Sequence, residues 1–227
     1  MILNEHSELR GKHAMFSPSQ PSWLNYDEEK IAERMINYYR APLGTEIHEF
    51  CEGRIRRKRR INKSAKVYQL VEDFIFTKYT YLNDGAQFEY GLKLIEHLDC
   101  IPDETWLTVQ SYVNDAITYR MIPEQPVKFN DKVFGTADAF TFKNNTLRIH
   151  DLKTGSGPVH IEQLRTYAAI FCLEYSIKPS DINMELRIYQ LGEVLIDIPT
   201  VADIAPIMDQ IITVGKMSNK INRGQED

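Results

Sequence analysis

Val133-Phe134-Gly135-Thr136-Ala137-Asp138-Ala139-Phe140-Thr141-Phe142 alternates in character, and so does Leu147-Arg148-Ile149-His150-Asp151-Leu152-Lys153. Between them stands Lys143-Asn144-Asn145-Thr146. Asn tolerates the left-handed conformation better than other non-glycine residues, so Asn144-Asn145 predicts a two-residue hairpin turn. Counting outward sets Lys143 against Thr146, Phe142 against Leu147, Phe140 against Ile149 and Asp138 against Asp151. Lys153 lies two residues beyond Asp151 and points to the same side. Phe140, Phe142, Leu147 and Ile149 then make the core face, and Arg148 and His150 point away from it.

Two facing carboxylates at the end of an apolar stripe repel each other. The conflict resolves if one is protonated or if a cation sits between them. A divalent ion held by oxygen ligands is the economical solution, with Lys153 steadying one carboxylate and holding a water. A structural Asp–Lys pair at a strand end is the plainer reading of the same residues. Gln163 and Tyr167, four apart, share a helix face just downstream.

Outward from this hairpin the chain divides by period. Residues 1–122 read as mainly helical, with helices over about 27–40, 44–60 and 65–80, and another from Asp103 or Thr105 ending before Pro123. Ser17-Pro18-Ser19 resembles a helix entry. Strand character begins after Pro126, and Thr154-Gly155-Ser156-Gly157-Pro158 breaks the second strand. A helix is expected over about 159–176. A second hairpin joins Glu185–Gln190 to Glu193–Ile198 at Leu191-Gly192, and a helix over about 201–216 precedes a frayed polar tail. Residues 123–200 thus carry the sheet, 201–227 the last helix and tail, and no linker divides the 227 residues into separate domains.

Hydrophobic residues are 43 % and charged residues 26 % of the chain, which excludes disorder and a disulfide scaffold. Cys51, Cys100 and Cys172 are odd in number and include no CxxC pair, which suggests a reducing compartment. No apolar run is long enough to span a membrane, and no secretory signal opens the chain. The net charge of −5 conceals an asymmetry: Arg54, Arg56, Arg57, Lys58, Arg59, Arg60, Lys63 and Lys66 place 8 of 27 basic residues within 13 positions. If helical, this stretch aligns Arg56, Arg59, Arg60 and Lys63 on one face suited to a phosphate backbone. A solvated helix surface is the alternative.

Four motifs in order resemble the RecB-like branch of the PD-(D/E)XK nuclease superfamily. They are Gly44-Thr45-Glu46-Ile47-His48-Glu49-Phe50-Cys51-Glu52, Gly135-Thr136-Ala137-Asp138, Asp151-Leu152-Lys153-Thr154-Gly155 and Gln163-Leu164-Arg165-Thr166-Tyr167, and they span over half the chain. Ser17-Pro18-Ser19 with Trp23-Leu24 is similar to the start of small phage and prophage members. Ala137 stands where the superfamily has its proline.

The resemblance implies an α/β (α+β) fold of the restriction-endonuclease type, a central mixed sheet flanked by helices. It implies His48, Asp138, Asp151 and the Leu152 backbone carbonyl as ligands of Mg²⁺ or Mn²⁺, with Glu52 as a further candidate. Lys153 would activate the attacking water, and Gln163 and Tyr167 would support the site and contact DNA. Arg54, Arg56, Arg57, Arg59, Arg60 and Lys63 would bind the DNA backbone. Three cysteines cannot hold the four-cysteine iron–sulfur cluster of some relatives, so none is expected. The implied activity is that of a metal-dependent exonuclease of phage-type recombination, replication or repair, in a bacterial or phage-infected cytoplasm. Its partners would be single- or double-stranded DNA and a single-strand annealing or binding protein. An endonuclease, a structure-specific nuclease and a catalytically silent binding module are the alternatives.

Overall fold

A computed structural model describes residues 14–223, with side chains to Met217. The start of the chain, where a secretory signal would lie, and residues 224–227 are outside the described residues. The architecture is α+β: a five-stranded mixed sheet flanked by helices, with a helical N-terminal half.

That half holds α1 (Glu28–Arg56), α2 (Val67–Tyr81), α3 (Gly85–Glu96) and α4 (Glu104–Thr118). Asp27 starts α1 by accepting a hydrogen bond from the Lys30 N–H at 2.8 Å. The expected entry at Ser17 is instead a turn, followed by a short 3-10 helix over Pro21–Asn25. The two helices expected over 27–40 and 44–60 are one, with Pro42 inside it.

Its C-terminus falls short of residue 60, and the reason is tertiary. Ile61 is buried, and α4 binds its backbone on both sides: Ile61 N–H donates to Asn114 Oδ1, while Asn114 Nδ2 and Gln110 Nε2 donate to Ile61 O. Reaching that anchor requires a sharp turn, taken at Lys58 with φ of 53°. The helical face aligning Arg56, Arg59, Arg60 and Lys63 therefore does not form. Helix α3 is not among the expected helices; Asp84 caps it, accepting from the Ala86 and Gln87 N–H groups.

The sheet follows as β1 (Ile122–Asn130), β2 (Val133–Lys143) and β3 (Thr146–Lys153), then α5 (Glu162–Glu174), β4 (Asn183–Gln190), β5 (Glu193–Asp197) and α6 (Val201–Arg223). Strand order is β1-β2-β3-β4-β5, antiparallel except for β3 and β4, which are parallel and joined through α5. Strand β1 starts before the expected Pro126. Its two prolines are tolerated because β1 is an edge. Asn144 and Asn145 have φ of 50° and 58°, and Lys143↔Thr146, Phe142↔Leu147 and Phe140↔Ile149 pair as counted. Leu191 and Gly192 turn the second hairpin with positive φ. Helix α5 is shorter than 159–176, and α6 continues to Arg223, through part of the stretch expected to be frayed.

The sheet is buried on both faces, against the one-sided reading. Phe140, Leu147, Ile149, Leu186 and Ile188 pack under α5 and α6. Ala139, Leu152 and Tyr189 pack against α1, α2 and α4. His150 is accordingly fully buried rather than pointing to solvent, while Phe142, expected in the core, is 41 % exposed. Burial pushes the His150 imidazole down to about 3, so the ring is neutral. Its Nδ1 meets Tyr189 Oη at 3.2 Å, and that hydroxyl donates to Asp115 Oδ2 of α4 at 2.8 Å. Among the described residues no helix is long and apolar enough to cross a membrane.

Candidate metal centre

Helix α1 delivers His48. Leu43, Ile47, Phe50, Cys51 and Ile55 bury one stripe of it in the helical core. Gly44 lies one turn before His48, and a Cβ there would stand 2.8 Å from Thr154 Oγ1. The missing side chain lets α1 come down on the residues that follow β3.

Strands β1 and β2 supply two acids at one level. Pairing runs Pro123↔Ala139 and Gln125↔Ala137, which brackets Glu124 and Asp138. Glu124 is left-handed, with φ of 50°, in mid-strand. A non-glycine residue held there carries about 1–2 kcal/mol of strain. The β2–β3 pairing as counted continues only to Ala139↔His150. Beyond it the Asp138 side chain takes over: Oδ2 accepts from the Leu152 N–H at 2.8 Å. The same oxygen lies 3.5 Å from His48 Nδ1. One ligand atom each from His48, Glu124 and Asp138 falls within 4.8 Å of the others. The group lines an open cavity of about 430 Å³, with Gly44, Thr45 and Thr154 around it.

Asp151 is 4 % exposed and faces Lys153. Lys153 Nζ donates to Asp151 Oδ1 at 3.1 Å and to Gln163 Oε1 at 3.2 Å. It also lies 2.9 Å from Oδ2, outside hydrogen-bonding geometry, so Oδ2 is buried with no hydrogen-bond partner. Tyr167 lies over β2 where Gly135 leaves room, since a Cβ at Gly135 would stand 2.8 Å from Tyr167 Cε1.

The electrostatics are those of a site short of positive charge. Burial, then the neighbouring Asp151, raises Asp138 to about 7, against opposition from the Leu152 N–H and Lys153. Burial and then Asp138 raise Glu124 as well. Burial lowers His48, which Asp151 and Glu124 partly offset. Carboxylates that resist ionising beside an imidazole offer oxygen and nitrogen donors of the kind that can hold a metal ion. The buried Asp151 Oδ2 without a hydrogen-bond partner fits the same group.

His48 and Asp138 are thus brought together, and Asp151, Lys153 and Gln163 are joined through the lysine. Glu52 is drawn elsewhere, to Arg56 Nε at 2.7 Å, and Glu124 stands in the group instead. Sequence reasoning missed Glu124, whose one signal was an acid between two prolines.

The basic run is divided in its duties. Arg54 donates to the Arg59 and Arg60 carbonyls, Arg60 to Thr118 Oγ1 and the Asn114 carbonyl, and Arg56 to Glu52 and the Pro123 carbonyl. Arg57, Arg59 and Lys63 are exposed and make no ion pair among the described residues.

A family model described as a protein of unknown function, DUF2800, matches residues 13–213. The match covers most of the chain, so the chain belongs to that family. Neither the curated proteins nor the solved structures gave a match.

Proposed function

We propose that this member of DUF2800 is a metal-dependent DNA nuclease with a PD-(D/E)XK-type core, acting as an exonuclease. One observation carries the reading: His48, Glu124 and Asp138 converge on a cavity whose carboxylates are held back from ionising, beside a lysine fixed by two partners.

His48, Glu124, Asp138 and Asp151 would hold Mg²⁺ or Mn²⁺, which when bound supplies Lewis-acid stabilisation of charge developing on a phosphodiester. The remaining work falls to side chains. Asp151 and Gln163 fix the Lys153 ammonium at the edge of the acidic group. From there it donates to, and orients, a water attacking phosphorus. Gln163 restrains the lysine from α5, and Tyr167 walls the same end of the helix. Arg57, Arg59 and Lys63 offer cations to phosphates without reading bases, which makes binding sequence-tolerant and salt-sensitive.

The test is cleavage of 5′- and 3′-labelled single- and double-stranded DNA with Mg²⁺, Mn²⁺ or EDTA. Progressive metal-dependent loss from one labelled end supports an exonuclease and gives its polarity. Internal fragments would move the assignment to an endonuclease of the same core. Intact substrate with metal present overturns the reading.

A further inference from the structure

On the α5 side of the edge strand lies a second cavity, of about 380 Å³, walled by Phe140, Phe142, Phe171 and Tyr175. The rings form one cluster: Phe171 is 5.5 Å from Phe140, 5.2 Å from Phe142 and 4.8 Å from Tyr175 between centroids. Phe142 and Tyr175 are nevertheless 41 % and 58 % exposed, so two large apolar rings face water at its mouth. Arg120, Ile122 and Pro126 close the other side.

One structural track runs to this cavity from the lysine that acts on Asp138. Along α5 and the Tyr175 that caps its end, Gln163, Tyr167, Phe171 and Tyr175 stand four residues apart on a slowly winding ridge, with about 6 Å of rise per step. It begins at the residue that holds Lys153 and ends in the cavity. Along the sheet, Phe140 follows Asp138 by two residues, but Phe140 packs on the α5 side with Ala137 while Asp138 turns to His48 of α1. Ile122, which pairs with Phe140, is two residues from Glu124.

The cation at the rim narrows the choice of occupant. Arg120 is exposed and lines the cavity, and its side chain makes no hydrogen bond or ion pair among the described residues. Its backbone is fixed at φ of 56° by the end of α4, where Arg120 N–H donates to Ile117 O and Met121 N–H to Ala116 O. An aromatic slot with an unpaired guanidinium on an anchored backbone at its mouth suits a planar apolar group attached to a phosphate.

We propose that this cavity holds an unpaired nucleobase of the strand whose phosphodiester lies at the acidic group, so that the substrate is single-stranded DNA or a frayed end. The inference rests on the nuclease reading above. Stacking on rings ignores base identity, so such binding is sequence-tolerant. A base within a duplex has no free face to offer.

The experiment measures binding in EDTA of a labelled twenty-nucleotide poly-dT strand and of an abasic strand of the same length. Wild type is compared with Phe142→Ala/Tyr175→Ala and with Tyr175→Phe. Wild type should prefer the base-bearing strand. The double variant should lose roughly 5- to 150-fold in affinity for it and bind both strands alike, the range set by one stacked base. Tyr175→Phe should retain the preference. Tyr175→Ala alone, at a mostly exposed position, repeats the test should the double variant fail to fold.

Equal wild-type binding of the two strands overturns the inference. So does concentration-dependent self-association that the substitutions abolish, which would assign the cavity to a second copy. Cleavage without base dependence would remove this inference alone. Base-dependent binding without cleavage would remove the nuclease reading alone.

Discussion

Glu124 stands level with Asp138 across the β1–β2 pair, and its own backbone is left-handed there, with φ of 50°. Prolines at 123 and 126 stiffen the edge strand on both sides of it. A strained acid placed beside an acid already raised to about 7 lowers stability unless something compensates. A divalent cation held by these acids would compensate.

The first prediction concerns the cation itself. At a hundredfold excess over its dissociation constant, Mn²⁺ should stabilise the fold by about 2.7 kcal/mol, or raise Tm by about 5–10 °C. Asp138→Asn keeps an acceptor for the Leu152 N–H while removing the charge. It should raise the metal-free Tm at pH 8 and abolish the Mn²⁺ shift. Thermal unfolding by circular dichroism reads both; an undiminished shift in the variant would sink the assignment of Asp138.

A pH dependence follows with a definite sign. Asp138 keeps its proton to about pH 7 when folded, whereas the unfolded chain releases it near pH 4. Its contribution to stability is therefore complete below about pH 4 and is lost as pH rises towards 7. Metal-free stability should fall over that interval. Cation affinity should rise across it, because the carboxylate must shed its proton to become a ligand. Urea titrations at pH 5 and pH 8, with and without Mn²⁺, test the two slopes.

Glu124 and Glu52 should separate cleanly. Glu124→Gln should weaken Mn²⁺ binding at least about tenfold. Glu52→Gln should leave it nearly unchanged, because Glu52 is held by Arg56. Glu124→Gly relieves the left-handed strain and should keep or raise Tm while losing the metal response. Calorimetric titration distinguishes the three, and equal losses at 52 and 124 would contradict the placement.

The basic run should split as its hydrogen bonds do. Replacing Arg57, Arg59 or Lys63 by Ala should lower the slope of log affinity against log salt by about one each, with Tm unchanged. Arg60→Ala should instead destabilise by about 1–2 kcal/mol, because it deletes the links to Thr118 and Asn114. A salt series with labelled DNA, beside melting curves, checks this division.

How much of this was legible follows from where each feature is encoded. The hairpin register was, because Asn144-Asn145 sets the turn locally and alternation propagates it to Phe140 and Ile149. His48 was legible only through the family-like motif around it, since a histidine on a helix carries no such signal alone. Three features depend on distant partners and were not. The end of α1 is set by Ile61 docking on Asn114, 53 residues away. His150 is buried because α4 covers the second face of the sheet. Glu124 reaches the site through one left-handed residue in an edge strand whose prolines read as a break. The cap at Asp84 was local, and the helix it starts could have been read.

The most direct measurement separates holding the cation from using it. Lys153 touches Asp151 and Gln163 and belongs to no ligand group, so Lys153→Ala should bind Mn²⁺ much as wild type does. Calorimetry and cleavage of end-labelled DNA on the same samples give the answer. Wild type should cleave with Mn²⁺ or Mg²⁺ and not in EDTA, and Lys153→Ala should bind Mn²⁺ yet cleave about 10²–10⁴-fold more slowly. Metal bound by both proteins with intact DNA in every lane would contradict the nuclease and leave a silent binding module; equal cleavage by both would remove the lysine from the chemistry.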